Sequence, residues 1–338
     1  MHPTVSNDSP AGRPRRHERR RPLSSHKEVC SMSLQEFWDY LVLGVMLGSL
    51  YAVIAIGYTL VYGVLQLINF AHSEVFMLGA YGSLIVLQLV SPGDNPSALA
   101  SIGFVALAMA GSALFGGVTA YGLEKVAYRP LRRRGAPRLI FLITAIGASF
   151  FLYNLAGKLF GRDPLPLPEM YDNHTVFSLF GAGVNITQML QFATAVVMMV
   201  ALDMLVTRTK LGKGIRAVAQ DAEVAGLMGV DIDKVISRTF IIGGVLGGVA
   251  GFLFANLNQV SYTMGFIPGI TAFAAAVVGG IGNIRGAMFG GILIGIVETM
   301  TVPLLGDEWR SVSAMVVLIL VLMFRPMGIL GERVGRAA

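Results

Sequence analysis

Apolar runs of about 18 or more residues recur along the chain, and each is long enough to cross the hydrocarbon of a bilayer as a helix. Of its 338 residues, 54% are hydrophobic and only 14% are charged, and the mean hydropathy is +0.66. A soluble domain is nearer a quarter charged, so these runs cannot all be buried in a water-soluble core. The pattern implies an all-α, polytopic integral membrane protein. The expected spans are about 40–61, a second ending at Val90, 98–122, 139–160, 187–206, 239–257, a short and half-spanning or broken one at 267–281, 288–305 and 312–324. That is about nine, within a range of eight to ten.

Charge places the loops. Glu124–Arg138 (EKVAYRPLRRRGAPR) carries six Lys/Arg, and the stretch 207–238 carries Arg208, Lys210, Lys213, Arg216, Lys234 and Arg238, so both are expected inside. Gly161–Asn185 is Pro-rich and holds Asp163, Glu169 and Asp172, which suits the outside, as does GDEWR at 306–310. Residues 1–31 are Arg- and Pro-rich, with seven Lys/Arg against three acids, and are expected to be a disordered extension. They account for +4 of the formal +6, so the basic balance does not indicate nucleic-acid binding. An odd number of spans with the C-terminus inside puts residue 40 outside, which conflicts with that basic tail; a start at Met32 removes the conflict. The transmembrane domain then covers 32–333, followed by a tail at 334–338.

The stretch 207–238 is too polar to span and too patterned for a plain linker. Arg216–Gly226 has helical spacing, with Ile215, Val218, Ala222 and Ala225 on one side and Gln220, Asp221 and Glu223 on the others. Gly226 and Gly229 would stop or bend it.

Glycines recur at every fourth position: Gly44 and Gly48; Gly243, Gly247 and Gly251; Gly282, Gly286 and Gly290. Such stripes let helices approach closely within hydrocarbon, where packing drives association. Polar groups inside the apolar runs have two readings. Asn69 or Ser73 can cap the second span, Glu74 in its first turn suits the helix dipole, and with His72 these groups can hydrogen-bond between helices or form a gate or pathway. Asn256, Asn258 and Glu298 can line a path or pair between helices. Asp203 is expected to pair with Arg208 or Lys210. INFAHSEVFMLG and IGNIRGAMFGG enter spans from the same face, a weak similarity.

Catalytic chemistry is not visible. There is no G-x-x-x-x-G-K-[ST] loop, no G-x-S-x-G elbow, no H-E-x-x-H and no cluster with metal-ligand spacing; the single cysteine is Cys30. Any active transport must draw on an ion gradient or on another subunit. An ion-coupled secondary transporter and a passive channel are therefore the alternatives from other classes.

Four blocks carry a resemblance. GSLYAVIAIGYTLVYGVLQLINFAHSEVFMLGAY at 48–81, EKVAYRPLR at 124–132, GKGIRAVAQDAEVAGLMGVDIDKVISRTF at 212–240 and FAAAVVGGIGNIRGAMFGGILIGIVE at 273–298, with RPMGILG at 325–331, resemble the LivH-type permease subunit of branched-chain amino acid ABC importers. The resemblance implies an ABC importer permease fold in a bacterial inner membrane, with no cofactor bound by this chain. It implies a LivM-like second permease, two LivG- and LivF-like ATPase subunits that use ATP and Mg, and a periplasmic or lipid-anchored binding protein. Related permeases carry urea or short amides. By position, Arg216, Gln220, Asp221, Glu223, Gly226 and Gly229 would couple the loop to an ATPase subunit. The loop departs from the Glu-Ala-Ala wording of many importer permeases, with Ala219, Gln220, Asp221 and Ala222 at that point.

Overall fold

The structure is a computed structural model and describes residues 33–93, 97–179 and 182–331. The expectations for residues 1–31, for a start at Met32 and for the tail at 334–338 lie outside the described residues.

Twelve α-helices follow in order among the described residues: α1 (Leu34–Leu65), α2 (His72–Val90), α3 (Ala98–Leu123), α4 (Arg129–Arg133), α5 (Arg138–Leu159), α6 (Ile186–Arg208), α7 (Lys210–Gln220), α8 (Ala222–Leu227), α9 (Ile232–Leu257), α10 (Phe266–Gly279), α11 (Ile284–Leu305) and α12 (Arg310–Phe324). Seven helical stretches are long and apolar enough to cross a membrane, namely α1, α2, α3 extended to Arg133, α5, α6, α9 and α11. The shorter α10 and α12 account for the remaining expected spans. With 14 residues, α10 is only about 21 Å long, short of the roughly 30 Å of hydrocarbon, so the expected short segment is a short helix. The 32 residues of α1 reach about 48 Å, beyond both edges of the hydrocarbon.

Local signals set the helix starts. Ser33 caps α1 in a reciprocal box: its Oγ accepts from the Glu36 N–H at 3.1 Å, and its own N–H donates to the Glu36 carboxylate at 2.8 Å. Ser97, Thr209, Asp231 and Asn283 cap α3, α7, α9 and α11 through their side chains. The loop before α6 holds a feature not expected from sequence, an antiparallel hairpin of β1 (Thr175–Leu179) and β2 (Ala182–Asn185). Upstream of it, Leu165 and Val260 exchange two 2.8 Å backbone hydrogen bonds, which tie this loop to the end of α9.

The core is built on glycine. From Leu50 to Val61 every residue of α1 is buried, so the helix is enclosed rather than amphipathic. It meets α11 backbone to backbone. A Cβ on Gly48 would stand 2.7 Å from the Ile292 Cα, and one on Gly295 or Gly291 would strike Gly48 or Ala52. In α9, Gly244 and Gly248 lie against Gly116 and Ser112 of α3, Gly251 lies against the Phe76 carbonyl of α2, and Gly243 and Gly247 face His72. Gly286 and Gly290 of α11 pack on Gly279 and Ala275 of α10. Gly282 is a correction: nothing lies within 4 Å of its Cβ position, and its φ of +98° makes it a turn residue between α10 and α11.

The RPMGILG segment has a structural task. The Ile329 and Leu330 N–H groups donate to the carbonyls of Val278 and Gly279 at 2.8 and 3.0 Å, satisfying acceptors that the end of α10 would leave orphaned. Large apolar side chains stay exposed along α3, α5, α6 and α12, for example Ile102, Phe150, Val197 and Ile319. Such a surface suits lipid or a second membrane subunit and not water.

A Gly48→Leu substitution is expected to lower stability by more than about 2 kcal/mol through overpacking of α1 on α11. Gly63→Ala, on the same helix with open space around it, is expected to be neutral or slightly stabilising. Thermal unfolding and size-exclusion profiles in detergent check the contrast.

Candidate functional site: a basic-face platform and two cavities

The stretch 207–238 folds as the end of α6, then α7, α8 and the first two turns of α9. The expected single helix over Arg216–Gly226 is broken at Asp221. The reason is local. Asp221 has extended backbone (φ −156°, ψ 107°), and its carboxylate accepts from the Glu223 and Val224 N–H groups at 2.9 Å, so it ends α7 and caps α8. Ile215, Val218 and Ala225 are buried as the periodicity requires, whereas Ala222, beyond the break, is exposed. Gly229, at φ +83°, turns the chain towards α9. Gly226 faces inward, and a Cβ there would sit 3.2 Å from the Ile232 side chain.

Ion pairs and a helix-end contact anchor this platform. The Arg216 guanidinium donates to the Val206 carbonyl, closing α7 onto the end of α6. Asp203 pairs with Arg285 at 3.1 and 3.3 Å, and not with Arg208 or Lys210, which joins the end of α6 to the start of α11. Glu124 is fully buried in a π-helical turn, where it accepts from Arg129 and Arg132 at 3.2 Å and from the Ser237 hydroxyl at 2.8 Å. Asp233 accepts from Arg132 and from Arg133, the latter at 2.9 Å. These contacts fasten α4 to the first turns of α9, so the basic loop 124–138 is a strut and not a free tether. Beside it, the hydrogen bond from the Lys234 ammonium, 2.9 Å away, holds the Asp231 carboxyl below the usual carboxylate range.

Among the residues expected to meet a partner, Gln220 and Glu223 are exposed, Asp221 spends its carboxylate on the cap, and Arg216 is tied to α6. Sequence reasoning missed the apolar tip of α8, where Val224, Leu227 and Met228 are 53%, 84% and 81% exposed. The adjacent Leu-Met pair ahead of the Gly229 turn was the available signal.

The intramembrane polar residues separate into packed and cavity-lining groups. Asn69 does not cap the second span; Ala71 stands at that position. Its side-chain oxygen accepts instead from the Ala71 N–H at 3.1 Å and the Tyr128 hydroxyl at 2.6 Å. His72 lies in a notch formed by Gly57, Gly243 and Gly247, with its ring edge-on to Tyr58 at 4.7 Å. Ser73 bonds to the Phe70 carbonyl at 2.8 Å and is no cap either. Asn256 donates to the Tyr171 hydroxyl, which reaches Thr187 at 3.2 Å, so it ties α9 to the loop and α6.

Glu74 and Glu298 line separate cavities. Glu74 accepts from Ser149 at 3.0 Å and faces a space of about 690 Å³ walled by aromatic and aliphatic side chains of α5 and α10. Glu298 is 1% exposed; it accepts from the Tyr51 hydroxyl at 2.8 Å and the Thr271 hydroxyl at 3.4 Å. It faces a space of about 580 Å³ that also receives Asn258, Gln259, Gln191 and Arg310. Thr263 and Ile267, at the entry to α10, line both cavities, so α10 stands between them. Arg310 was read from sequence only as part of a loop; here it opens α12, with its guanidinium 3.9 Å from the Glu298 carboxylate. Its Nε and the Gln191 Oε1 are buried with no hydrogen-bond partner, an arrangement that costs roughly 1–3 kcal/mol each. Among the described residues, no group of three or more His, Cys, Asp or Glu side chains could hold a metal ion.

Comparison with known proteins shows the family. The family described as the permease component of the branched-chain amino acid transport system matches residues 40–322. The chain is 40% identical over 304 residues to the high-affinity branched-chain amino acid transport system permease protein BraD of Pseudomonas aeruginosa, covering 88% of this chain and 97% of that protein. It is 40% identical over 295 residues to the permease protein LivH of Escherichia coli K12, covering 86% and 94%. A probable LivH of Methanocaldococcus jannaschii is 28% identical over 321 residues, covering 90% and 96%. No solved structure gives a significant match. The chain is a multi-pass membrane transport subunit, not an enzyme, and it belongs to the permease family of the branched-chain amino acid transport system.

Proposed function

We propose that this chain is the membrane-spanning permease subunit of an ATP-driven importer in a bacterial inner membrane and passes leucine, isoleucine or valine to the cytoplasm. The observation that carries this reading is the near full-length similarity to permeases named for that cargo. It favours branched-chain amino acids over urea or short amides, and an ATP-driven system over ion-coupled transport or a passive channel. A LivM-like second permease would complete the membrane part. Two ATPase subunits of the LivG and LivF kind would bind ATP and Mg, which this chain need not hold. An extracytoplasmic binding protein would deliver the amino acid.

The platform supports a mechanical division of labour. Hydrolysis in a separate chain reaches a permease only through non-covalent contacts, so the receiving element must be rigid and must present something to grip. The apolar tip of α8 is the grip. Burying a side chain such as Leu227 or Met228 in a partner groove is worth about 1.5–3 kcal/mol each. The Asp203–Arg285 and Glu124–Arg129–Arg132 contacts pass a push on α8 to α6, α9 and α11 together. The motion this suits is rigid-body rocking of packed helices.

Three measurements test this reading. With the cognate binding protein, radiolabelled leucine uptake is expected to exceed urea uptake, to survive collapse of the ion gradients and to stop on ATP depletion; the reverse energy dependence would sink it. A Leu227→Asp/Met228→Asp variant is expected to remain in the membrane and lose about tenfold or more of uptake by failing to hold the ATPases. Gly226→Leu, which crowds Ile232 and tilts α8, is expected to leave ATP hydrolysis running without matching uptake. Unchanged uptake in both variants would remove α8 from the coupling path.

A further inference from the structure

We propose that the cavity bounded by Glu298, Arg310 and Gln191 is a transit site for the zwitterionic head of an α-amino acid, with the hydrocarbon side chain lying on its apolar wall. This rests on the transport reading above and extends it to a place within this chain.

The argument is one of matched chemistry. An α-amino acid with a branched side chain presents an ammonium and a carboxylate joined through a single carbon, next to a hydrocarbon group. The cavity presents one guanidinium and one carboxylate side by side, 3.9 Å apart, next to Leu43, Leu47, Phe254, Met264 and Ile267. Its volume of about 580 Å³ falls within the range of small-molecule sites, roughly 300–1,000 Å³.

The two charges form a loose ion pair with no hydrogen bond between them. A separation of 3.9 Å is too long for a hydrogen bond, and the Arg310 Nε has no hydrogen-bond partner. The other carboxylate near Arg310, that of Asp307, also stands off, at 3.8 Å. The guanidinium donors are thus available to a ligand carboxylate. Glu298 is held by hydroxyls from two different helices, Tyr51 of α1 and Thr271 of α10, which orient it and still leave acceptor capacity for an ammonium. Gln191 provides an independent pointer. The residue lines the cavity and is 1% exposed, its side-chain nitrogen is committed to the Met46 carbonyl at 2.9 Å, and its Oε1 is a buried acceptor with no partner.

The other cavity makes a useful contrast. It offers Glu74, but none of its lining residues is a lysine or arginine, so a carboxylate would enter it unpaired. The Glu298 cavity, lined by the end of α9, the starts of α6 and α12 and Glu298 within α11, lies towards the end of the bundle away from α7 and α8, where a delivered amino acid would arrive first.

The test is direct binding of radiolabelled leucine to the complete purified transporter in nanodiscs, without its binding protein. Competitors are leucinamide, which lacks the carboxylate, and 4-methylpentanoate, which lacks the ammonium. Saturable leucine binding is expected, displaced by leucine, isoleucine and valine and at least about tenfold less well by either analogue. Arg310→Gln and Glu298→Gln are each expected to weaken binding about tenfold or more, and Arg310→Lys to recover part of it. Gln191→Leu keeps both charges and is expected to weaken binding severalfold; it serves if a charge variant fails to assemble. Equal displacement by the analogues, or wild-type binding in Arg310→Gln and Gln191→Leu, would overturn the site. So would the absence of saturable binding by a wild-type complex that takes up leucine when its binding protein is added. Failure of that uptake itself would instead overturn the transport reading, and the site with it.

Discussion

The contact between α1 and α11 is the constraint on which the rest of the structure depends. Gly48 on one helix and Gly291 and Gly295 on the other bring two backbones into direct contact, while Gly44 makes room for the Thr299 side chain. In hydrocarbon there is no water to drive apolar surfaces together, so dispersion and fit between closely approaching backbones hold the helices. The same solution recurs where α9 meets α3 and α2, and where α10 meets α11. The consequence is an interior with little freedom to deform. Side chains can change rotamer, but backbones in contact can only move together.

That rigidity joins features at opposite ends of the molecule. On the basic face, α6 and α9 flank the platform and are pinned to α11 and α4 by Asp203–Arg285 and by the Glu124 and Asp233 networks. The same α6, α9 and α11, with α1, run on to the cavity around Glu298. A displacement received at α8 is therefore delivered to the whole group of helices rather than absorbed in a loop. These ion pairs add little to net stability: solvent screens the exposed Asp203–Arg285 and Arg133–Asp233 pairs, and desolvation offsets much of the attraction at the buried Glu124. Their role is to fix which helices move as one.

The fold was largely legible because the bilayer makes it so: apolar runs of sufficient length become helices, and all the expected spans are helical. Glycine stripes were legible for the same reason, except at Gly282, where the four-residue spacing ran on into a turn. What sequence could not show was pairing across distance. Asp203 has basic residues five and seven positions away, yet its partner is Arg285, because α6 ends beside the start of α11. The break at Asp221 was hidden because an Asp inside an amphipathic pattern reads as a polar-face residue until its cap geometry is seen. Arg310 was passed over since a charged loop is usually just a loop; only the fold brings it to Glu298. The hairpin at 175–185 combines two short strands whose alternation is too brief to register against a Pro-rich background.

The most direct measurement is a pair of spin-label distances in the assembled transporter, with Cys30→Ser as background. Labels at Glu223→Cys on α8 and Glu308→Cys in the turn between α11 and α12 report on whether this subunit deforms. A glycine-packed rigid body gives one narrow distance, the same in nucleotide-free and ATP-trapped states, while the distance from Glu223→Cys to a label on the second membrane subunit changes. A shift or broadening of the Glu223–Glu308 distance on trapping ATP, with the inter-subunit distance fixed, would contradict it.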